Sequence, residues 1–432
     1  MTLLIAWAVL LLEGLITKLF IDMIPVNDTV VFLPVILVNT LCVFGWIALK
    51  YREERKVLFA LLGGFLLRLG LLTWDLYGRS IFKLPNSGLD TESYDSWARQ
   101  LFRTGQLPRG GVYPRFIAFW YSLFNIQRPI AQYVNILLAM TAIWLVIRTM
   151  DDLAIEKGTR LKAVLLMCFL PNFAITNSIL LRETLIMFLV TCSLAAFVRY
   201  IADGNLFLLI AAVLAAIAAS SVHSGAMAVL LGETVTLILY DRQTRGMKIT
   251  PKSIALTAAA VVGFLIMFSL LQDVLFAKFG NVDSAEDIIN TAEKYNAGGS
   301  AYQAGFRISN PTLNLIINSP IRMFYFIASP LPWNWRGLSD IIAFCFSSSV
   351  FLYAHFRSYI EIRRSERSLG RTLIIVVTII ALCAALIFAW GVSNAGTAVR
   401  HREKFMTVYI LLIALCGDGR TTRIKALRDA EN

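Results

Sequence analysis

Long apolar runs, one after another and separated by short basic loops, constrain this chain more than any other feature it has. A helix crossing a bilayer takes about 20 consecutive apolar residues, because hydrocarbon offers its backbone N–H and C=O groups no outside partner. Runs of this kind lie near residues 4–22, 30–49, 57–77, 130–148, 162–180, 184–201, 206–221, 225–240, 254–273, 338–356, 372–390 and 404–417. They amount to about twelve spans. With 57% hydrophobic and 16% charged residues, the composition exceeds what one soluble core needs. The expected fold class is all-α, a polytopic transmembrane helical bundle.

Orientation follows from the basic loops. They are Lys50, Arg52, Arg55 and Lys56; Arg148, Lys157, Arg160 and Lys162; Arg242, Arg245, Lys248 and Lys252; and Arg357, Arg363, Arg364, Arg367 and Arg371. The tail adds Arg420, Arg423, Lys425 and Arg428. All fall on one side only if both termini are cytoplasmic in a multi-pass protein of the plasma membrane. Two long segments, 78–129 and 274–337, then face outward and carry the active face. Each holds an apolar stretch too short or too interrupted to span, 113–126 and 313–335. Both suit interfacial helices with Trp120, Tyr121, Trp333 and Trp335 at headgroup depth. The first residues lack the basic n-region and cleavage site of a secretory signal, so the first span is expected to stay. One membrane domain over 1–432 is the economical organisation, with 1–56 as an optional accessory hairpin ahead of a core at 57–432. Cysteines sit mostly inside apolar runs without metal-ligand spacing, as small core residues do.

Chemistry should sit in the outer loops. Asp90, Glu92 and Asp95 come first, since an extracytoplasmic carboxylate can serve as general base toward an acceptor hydroxyl or amine, or hold a metal or a cationic substrate group. On a helix beginning near residue 90, Asp90 and Tyr94 share a face. An ordinary N-cap role for Asp90, followed by Ser93, is the competing reading. Arg103, Arg109, Arg115, Arg182, Arg322, Arg336, Arg400 and Arg402 lie close to the outer surface, where a phosphate or pyrophosphate head would sit. The planar guanidinium gives charge-assisted, often bidentate bonds to phosphate oxygens. Arg400, His401 and Arg402 cluster ahead of the last apolar run. Arg182 and Glu183 form either a helix-start pair or a substrate-orienting one, and His223 lies at the next outer turn.

Glu13 and Arg68 fall within apolar runs, where a charge costs about 2.5–3.5 kcal/mol at mid-span. The cheapest expectation is that they pair. No phosphate-cradling glycine loop, zinc-protease helix or nucleophile elbow is present. No metal site is evident, and whether a divalent cation takes part is left open. The net charge of +12 is explained by the positive-inside bias and by contacts with anionic membrane lipids, so no nucleic acid is required.

Several of these residues resemble, in order, the membrane glycosyltransferases of the GT-C superfamily, in particular the bacterial relatives of dolichyl-phosphate-mannose protein mannosyltransferases. The resembling pattern is Asp90-x-x-x-Tyr94-x-x-x-Ala98 with Gly105, then Tyr113-Pro114, Tyr121-x-x-Phe124 and Ala131-Gln132-x-x-Asn135. It continues with Leu170-Pro171-Asn172, Leu181-Arg182-Glu183-Thr184 and Arg400-His401-Arg402. The resemblance covers roughly residues 57 to 240 and is looser beyond. It implies a GT-C-like bundle, a polyprenyl-phosphate-linked sugar donor, a glycan or lipid acceptor, an essential carboxylate at Asp90, and phosphate recognition by Arg400 and Arg402. Two departures are the Thr91 that separates Asp90 from Glu92 and the extra N-terminal hairpin. Leu181-Arg182-Glu183-Thr184 and His223 are also similar to features of polysaccharide repeat-unit polymerases, which use polyprenyl-pyrophosphate oligosaccharides. A lipid-linked oligosaccharide flippase is the alternative of a different class. It would need polar residues along a path through the bilayer, whereas here they gather at one surface.

Overall fold

The computed structural model describes residues 3–106, 111–260, 262–263, 301–302, 304–306, 308–365 and 368–417. Arg109, Arg367, the stretches 264–273 and 274–300, and the basic tail lie outside the described residues. The chain divides into two compact units, Met1–Trp144 with Val164–Phe188, and Leu145–Ala163 with Leu189–Asn432.

The first part of the chain forms α1 (Leu4–Lys18), α2 (Thr29–Lys50), α3 (Arg55–Thr73), α4 (Leu89–Thr104), α5 (Val112–Phe124), α6 (Arg128–Asp152), α7 (Lys157–Phe169) and α8 (Pro171–Thr176). It continues with α9 (Glu183–Asp203), α10 (Leu206–Val222), α11 (Met227–Leu239), α12 (Pro311–Ala328), α13 (Leu338–Arg364), α14 (Leu369–Gly391), α15 (Ala395–Arg402) and α16 (Met406–Gly417). Residues 251–260 are also helical. Among the described residues, strand is confined to one antiparallel pair, Tyr240–Asp241 with Gly246–Met247.

Among the described residues, six helices are long and apolar enough to cross a membrane: Thr29–Lys50, Arg55–Gly78, Arg128–Asp152, Glu183–Asp203, Leu338–Arg364 and Leu369–Gly391. They match six of the runs read from the sequence. α1, α10 and α16 are shorter, at 15, 17 and 12 residues. The run expected as one span over 162–180 is instead divided at Pro171, where α7 ends and α8 begins. Proline has no N–H and disfavours helical geometry in the residue before it, so the helix cannot run through.

That break explains Arg68. Without an N–H on Pro171, the Met167 carbonyl four residues earlier has no helical donor. Arg68, fully buried in α3, supplies one. Its Nη2 donates to Met167 O at 2.8 Å, and its Nη1 to Cys168 O at 3.0 Å and Gly64 O at 2.9 Å. The expected pairing with Glu13 is therefore corrected: the cation is neutralised by the negative end of a broken helix rather than by a carboxylate. Close approach makes the geometry possible, because a Cβ on Gly64 would lie 2.6 Å from that of Cys168.

The N-terminal hairpin is part of the first unit. Ala6, Leu10 and Gly14 are buried along one face of α1, and a Cβ on Gly14 would meet the Phe124 ring at 3.0 Å. Asn39 donates to Ala6 O at 2.7 Å and accepts from Tyr133 Oη at 3.0 Å, while Trp7 Nε1 donates to Thr141 Oγ1 at 2.9 Å. The turn between α1 and α2 is held by the side-chain amides of Asn125 and Gln127, which donate to Ile24 O and Pro25 O. For 113–126, expected as an interfacial helix with Trp120 and Tyr121 at headgroup depth, the structure shows a helix enclosed by protein. Both side chains are buried, and α5 packs within the unit against α1 and α4.

Replacing Arg68 by Met strips charge-assisted bonds worth about 1.5–3 kcal/mol each and leaves buried carbonyls without donors. Arg68→Met should lower the unfolding free energy in detergent by about 3 kcal/mol or more. Arg68→Lys should rescue only part, because an ammonium cannot reproduce the planar fork. In the Pro171→Ala background the penalty of Arg68→Met should shrink, since alanine at that position restores the missing N–H. A double-mutant cycle with no coupling between the two sites would contradict this account.

Candidate active site

The segment after α3 is positioned by a turn of π-helix, Trp74–Gly78, which continues α3 and places Asp75 in the protein interior with no exposed surface. Single π turns inside α-helices recur at functional positions. Asp75 is fully satisfied there: Arg79 donates to both of its oxygens, at 3.1 and 2.8 Å, Ser87 Oγ donates at 2.5 Å and Gln132 Nε2 at 2.6 Å.

α4 starts at Gly88, whose φ of +142° is a backbone conformation that favours glycine. The Thr91 hydroxyl accepts from Gly88 N at 3.1 Å and donates to Gly88 O at 2.9 Å. Thr91 thus closes the helix start. The N-cap position belongs to Gly88, and Asp90 lies in the first turn, exposed and placed where the helix dipole favours a carboxylate. The helix ends at Gly105 with φ +70°, the left-handed termination for which glycine is preferred.

Arg128, at the start of α6, holds Glu92 in a bidentate pair at 2.8 and 3.0 Å and lies 3.5 Å from Asp95. Arg79 also bonds Glu92, Arg99 binds Asp95 at 3.0 Å, and Tyr121 Oη donates to Asp95 at 2.5 Å. Asp75, Glu92 and Asp95 are thereby matched by Arg79, Arg99 and Arg128. Partial burial works to raise the pKa of Glu92, but the Arg128 and Arg79 guanidiniums outweigh it and hold the carboxyl at about 2. Burial, together with Asp95, pushes the Tyr121 phenol well up, so it stays a donor. In this arrangement the half-exposed Glu92 is held by two arginines, and Asp90, one turn from Tyr94, is an exposed first-turn carboxylate.

Tyr94 is buried, edge-on to Tyr113 at 5.1 Å between ring centroids. The Arg182 guanidinium lies 6.0 Å from the Tyr94 ring centroid, and its buried Nε has no hydrogen-bond partner among the described residues. Asn135 Nδ2 donates to Tyr113 Oη at 3.0 Å and to the carbonyls of Ile179 and Leu181 at 2.8 and 3.2 Å, fixing the strand of chain that carries Arg182. Glu183 is buried at the start of α9, and Thr184 Oγ1 donates to Asn177 Oδ1 at 3.1 Å. Asp90, Tyr94, Arg182 and Glu183 therefore belong to one unit. Arg115 is exposed on α5.

The second unit contains the other sequence candidates. His223 follows α10, and its Nδ1 accepts from Gly225 N at 3.0 Å. The proton of its neutral ring then sits on Nε2. His401 stands edge-on to His223 at 5.4 Å, both against Phe388. Lys404 Nζ lies 2.5 Å from His401 Nδ1, and a donating ammonium leaves His401 with its proton on Nε2 as well. Gly225 permits the assembly, since a Cβ there would meet the Phe388 ring at 2.6 Å. Arg400, next to His401 on α15, is half-buried.

Arg402 plays another part. It has no exposed surface, and its Nη1 donates to Phe326 O and Ile327 O at 2.8 and 2.7 Å, its Nη2 to Ser348 Oγ at 3.1 Å. Pro330, four residues after Phe326, supplies no N–H, so Arg402 completes a broken helix end as Arg68 does. Arg402, expected from the sequence to recognise phosphate, is thus engaged by backbone carbonyls and Ser348 in the protein interior. Arg322 donates to Asn314 Oδ1 and Arg336 lies near Asp340, each within its own segment.

Among the described residues, no group of three or more His, Cys, Asp or Glu could hold a metal ion. Compared with protein-family models, curated proteins and solved structures, the chain has no match.

A carboxylate whose folded pKa is depressed stabilises the fold above its unfolded value near 4.3 and loses that contribution as pH falls toward the folded value. Because half of the Glu92 side chain is exposed, solvent screening limits its share to about 1 kcal/mol or less. Thermal stability in detergent should fall between about pH 5 and pH 2, and Glu92→Gln should flatten that limb. Superimposable pH profiles for the two proteins would count against the anchoring role.

Proposed function

We propose that this chain is an integral-membrane glycosyltransferase that moves a sugar from a polyprenyl-phosphate-linked donor to a glycan or lipid acceptor on the extracytoplasmic face of the plasma membrane, in cell-surface glycan assembly. In this reading the bundle is GT-C-like, with about twelve spans and both termini in the cytoplasm. The observation that carries it is the placement of Asp90. The carboxylate is exposed in the first turn of a helix that paired arginines fix to its surroundings, one turn from an aromatic residue against which Arg182 lies.

The chemistry assigned to it is an inverting-type transfer. Asp90 takes the proton of the acceptor hydroxyl as that oxygen attacks the anomeric carbon. The bond from that carbon to the phosphate oxygen breaks, and the lipid phosphate leaves with the electron pair. Arg182 offers a guanidinium to the phosphate in the first unit. Arg400, His223 and His401, which the sequence also offers as candidates for binding the head group, belong to the second unit.

The nearest second reading is a polysaccharide repeat-unit polymerase that uses polyprenyl-pyrophosphate oligosaccharides. It is favoured by the contact between His223 and His401 with Lys404 beside them, a density of donors that suits two linked phosphates. The length distribution of lipid-linked glycans separates the two readings. A polymerase deletion leaves single repeats, whereas loss of a transferase leaves a shortened unit.

Asp90→Asn should reduce transfer by about 10²- to 10⁴-fold, the usual worth of a general base, with normal membrane insertion. Mass spectrometry of lipid-linked and surface glycans from cells carrying wild type, Asp90→Asn or no copy provides the readout. An Asp90→Asn strain with a wild-type glycan profile would rule out the assignment.

A further inference from the structure

Where α11 ends, the chain turns through the short hairpin and becomes helical again at 251–260. An open cleft of about 400 Å³ lies between these elements. Its lining is divided by chemistry: Ile238, Leu239 and Leu256 supply an apolar wall, and Arg242, Lys248 and Lys252 supply positive charge. Asp241 is the one carboxylate in the lining, and its Oδ1 accepts from Gln243 N at 3.0 Å inside the hairpin. The cleft therefore keeps a surplus of positive charge.

The frame around it is tied down. Lys248 N donates to Leu239 O at 2.8 Å, Tyr240 Oη to Ile201 O at 3.1 Å, and Thr372 Oγ1 to Arg245 O at 2.9 Å. Thr250 and Ser253 satisfy each other at the start of the following helix, at 2.8 and 3.1 Å. Large apolar side chains flank the cations: Ile249 is 72% exposed and Ile254 57%. An inorganic anion has no use for such a surface. A molecule with an anionic head and a hydrocarbon tail uses both halves, because the tail removes the apolar wall from water while the head meets the charges.

We propose that this cleft is a binding site for an anionic phospholipid, its phosphate held by Arg242, Lys248 and Lys252 and an acyl chain lying along Ile238, Leu239 and Leu256. The site is separate from the residues assigned to glycosyl transfer and stands whether or not that assignment does.

The test uses the full-length protein, delipidated in detergent and titrated with phosphatidylglycerol or phosphatidylcholine, with retained lipid counted by native mass spectrometry. Wild type should retain phosphatidylglycerol at least tenfold more tightly. Single Arg242→Gln, Lys248→Gln and Lys252→Gln changes should each weaken it about fivefold, the effect of one basic residue at an anionic surface. Leu256→Asp should weaken it while leaving the basic residues in place. Lys50→Gln with Arg52→Gln, on another basic loop, should change nothing. Equal retention of the two lipids by wild type would overturn the proposal, as would single variants that hold phosphatidylglycerol like wild type. Displacement of the lipid by inorganic phosphate at matched ionic strength would identify a simple anion site instead, and would overturn it too.

Discussion

The capture of orphaned backbone carbonyls by buried arginines underlies the rest of this architecture. A guanidinium is costly to bury, and so is a helix end that lacks donors; placed together, each removes the other's penalty. Arg68 does this for Met167 and Cys168, and Arg402 for Phe326 and Ile327. In both cases a proline four residues after the first carbonyl, Pro171 or Pro330, removes the helical donor. Beyond the breaks, the chain after Pro171 leads to Arg182 and the chain after Pro330 leads into α13.

A second recurring device is the π turn. Trp74–Gly78 delivers Asp75 to Arg79, Gln132 and Ser87, and Phe344–Ser348 delivers Ser347 to Glu403 and Ser348 to Arg402. Widening one helical turn redirects side chains without ending the helix. Each unit thus joins an apolar helix to a polar cluster by the same local change. In the first unit the result is a neutral lattice of acids and arginines that fixes α4, while Asp90 is presented at that helix's exposed start.

Hydropathy made the helical class and six long apolar helices legible, because twenty-residue apolar runs have few other uses. Burial within those runs was less legible. Glu13 and Arg68 each signalled a need for a partner, but opposite charge was a poor guide when a carbonyl could serve; the useful signal was Pro171 itself. Asp75 was overlooked because it falls at the end of an apolar run and reads as a boundary residue. Its spacing of four from Arg79 was the available clue. Arg400 and Arg402 looked equivalent in sequence, yet two helical positions apart they point to different surroundings, and one is interior. Thr91, which seemed to interrupt an acidic pair, is the residue that starts the helix bearing it. Trp120 and Tyr121 suited an interface by composition, but α1 covers the helix that carries them.

The two arginine clamps differ in the order in which their halves are synthesised. Arg402 emerges 76 residues after Phe326, so its acceptor is already waiting. Arg68 precedes Cys168 by 100 residues; at roughly 5–20 residues per second it spends on the order of 5 to 20 s on a nascent chain without its acceptor. During that interval Arg68 has Gly64 O of its own helix as an acceptor, while the Met167 and Cys168 carbonyls that complete its fork have yet to be made.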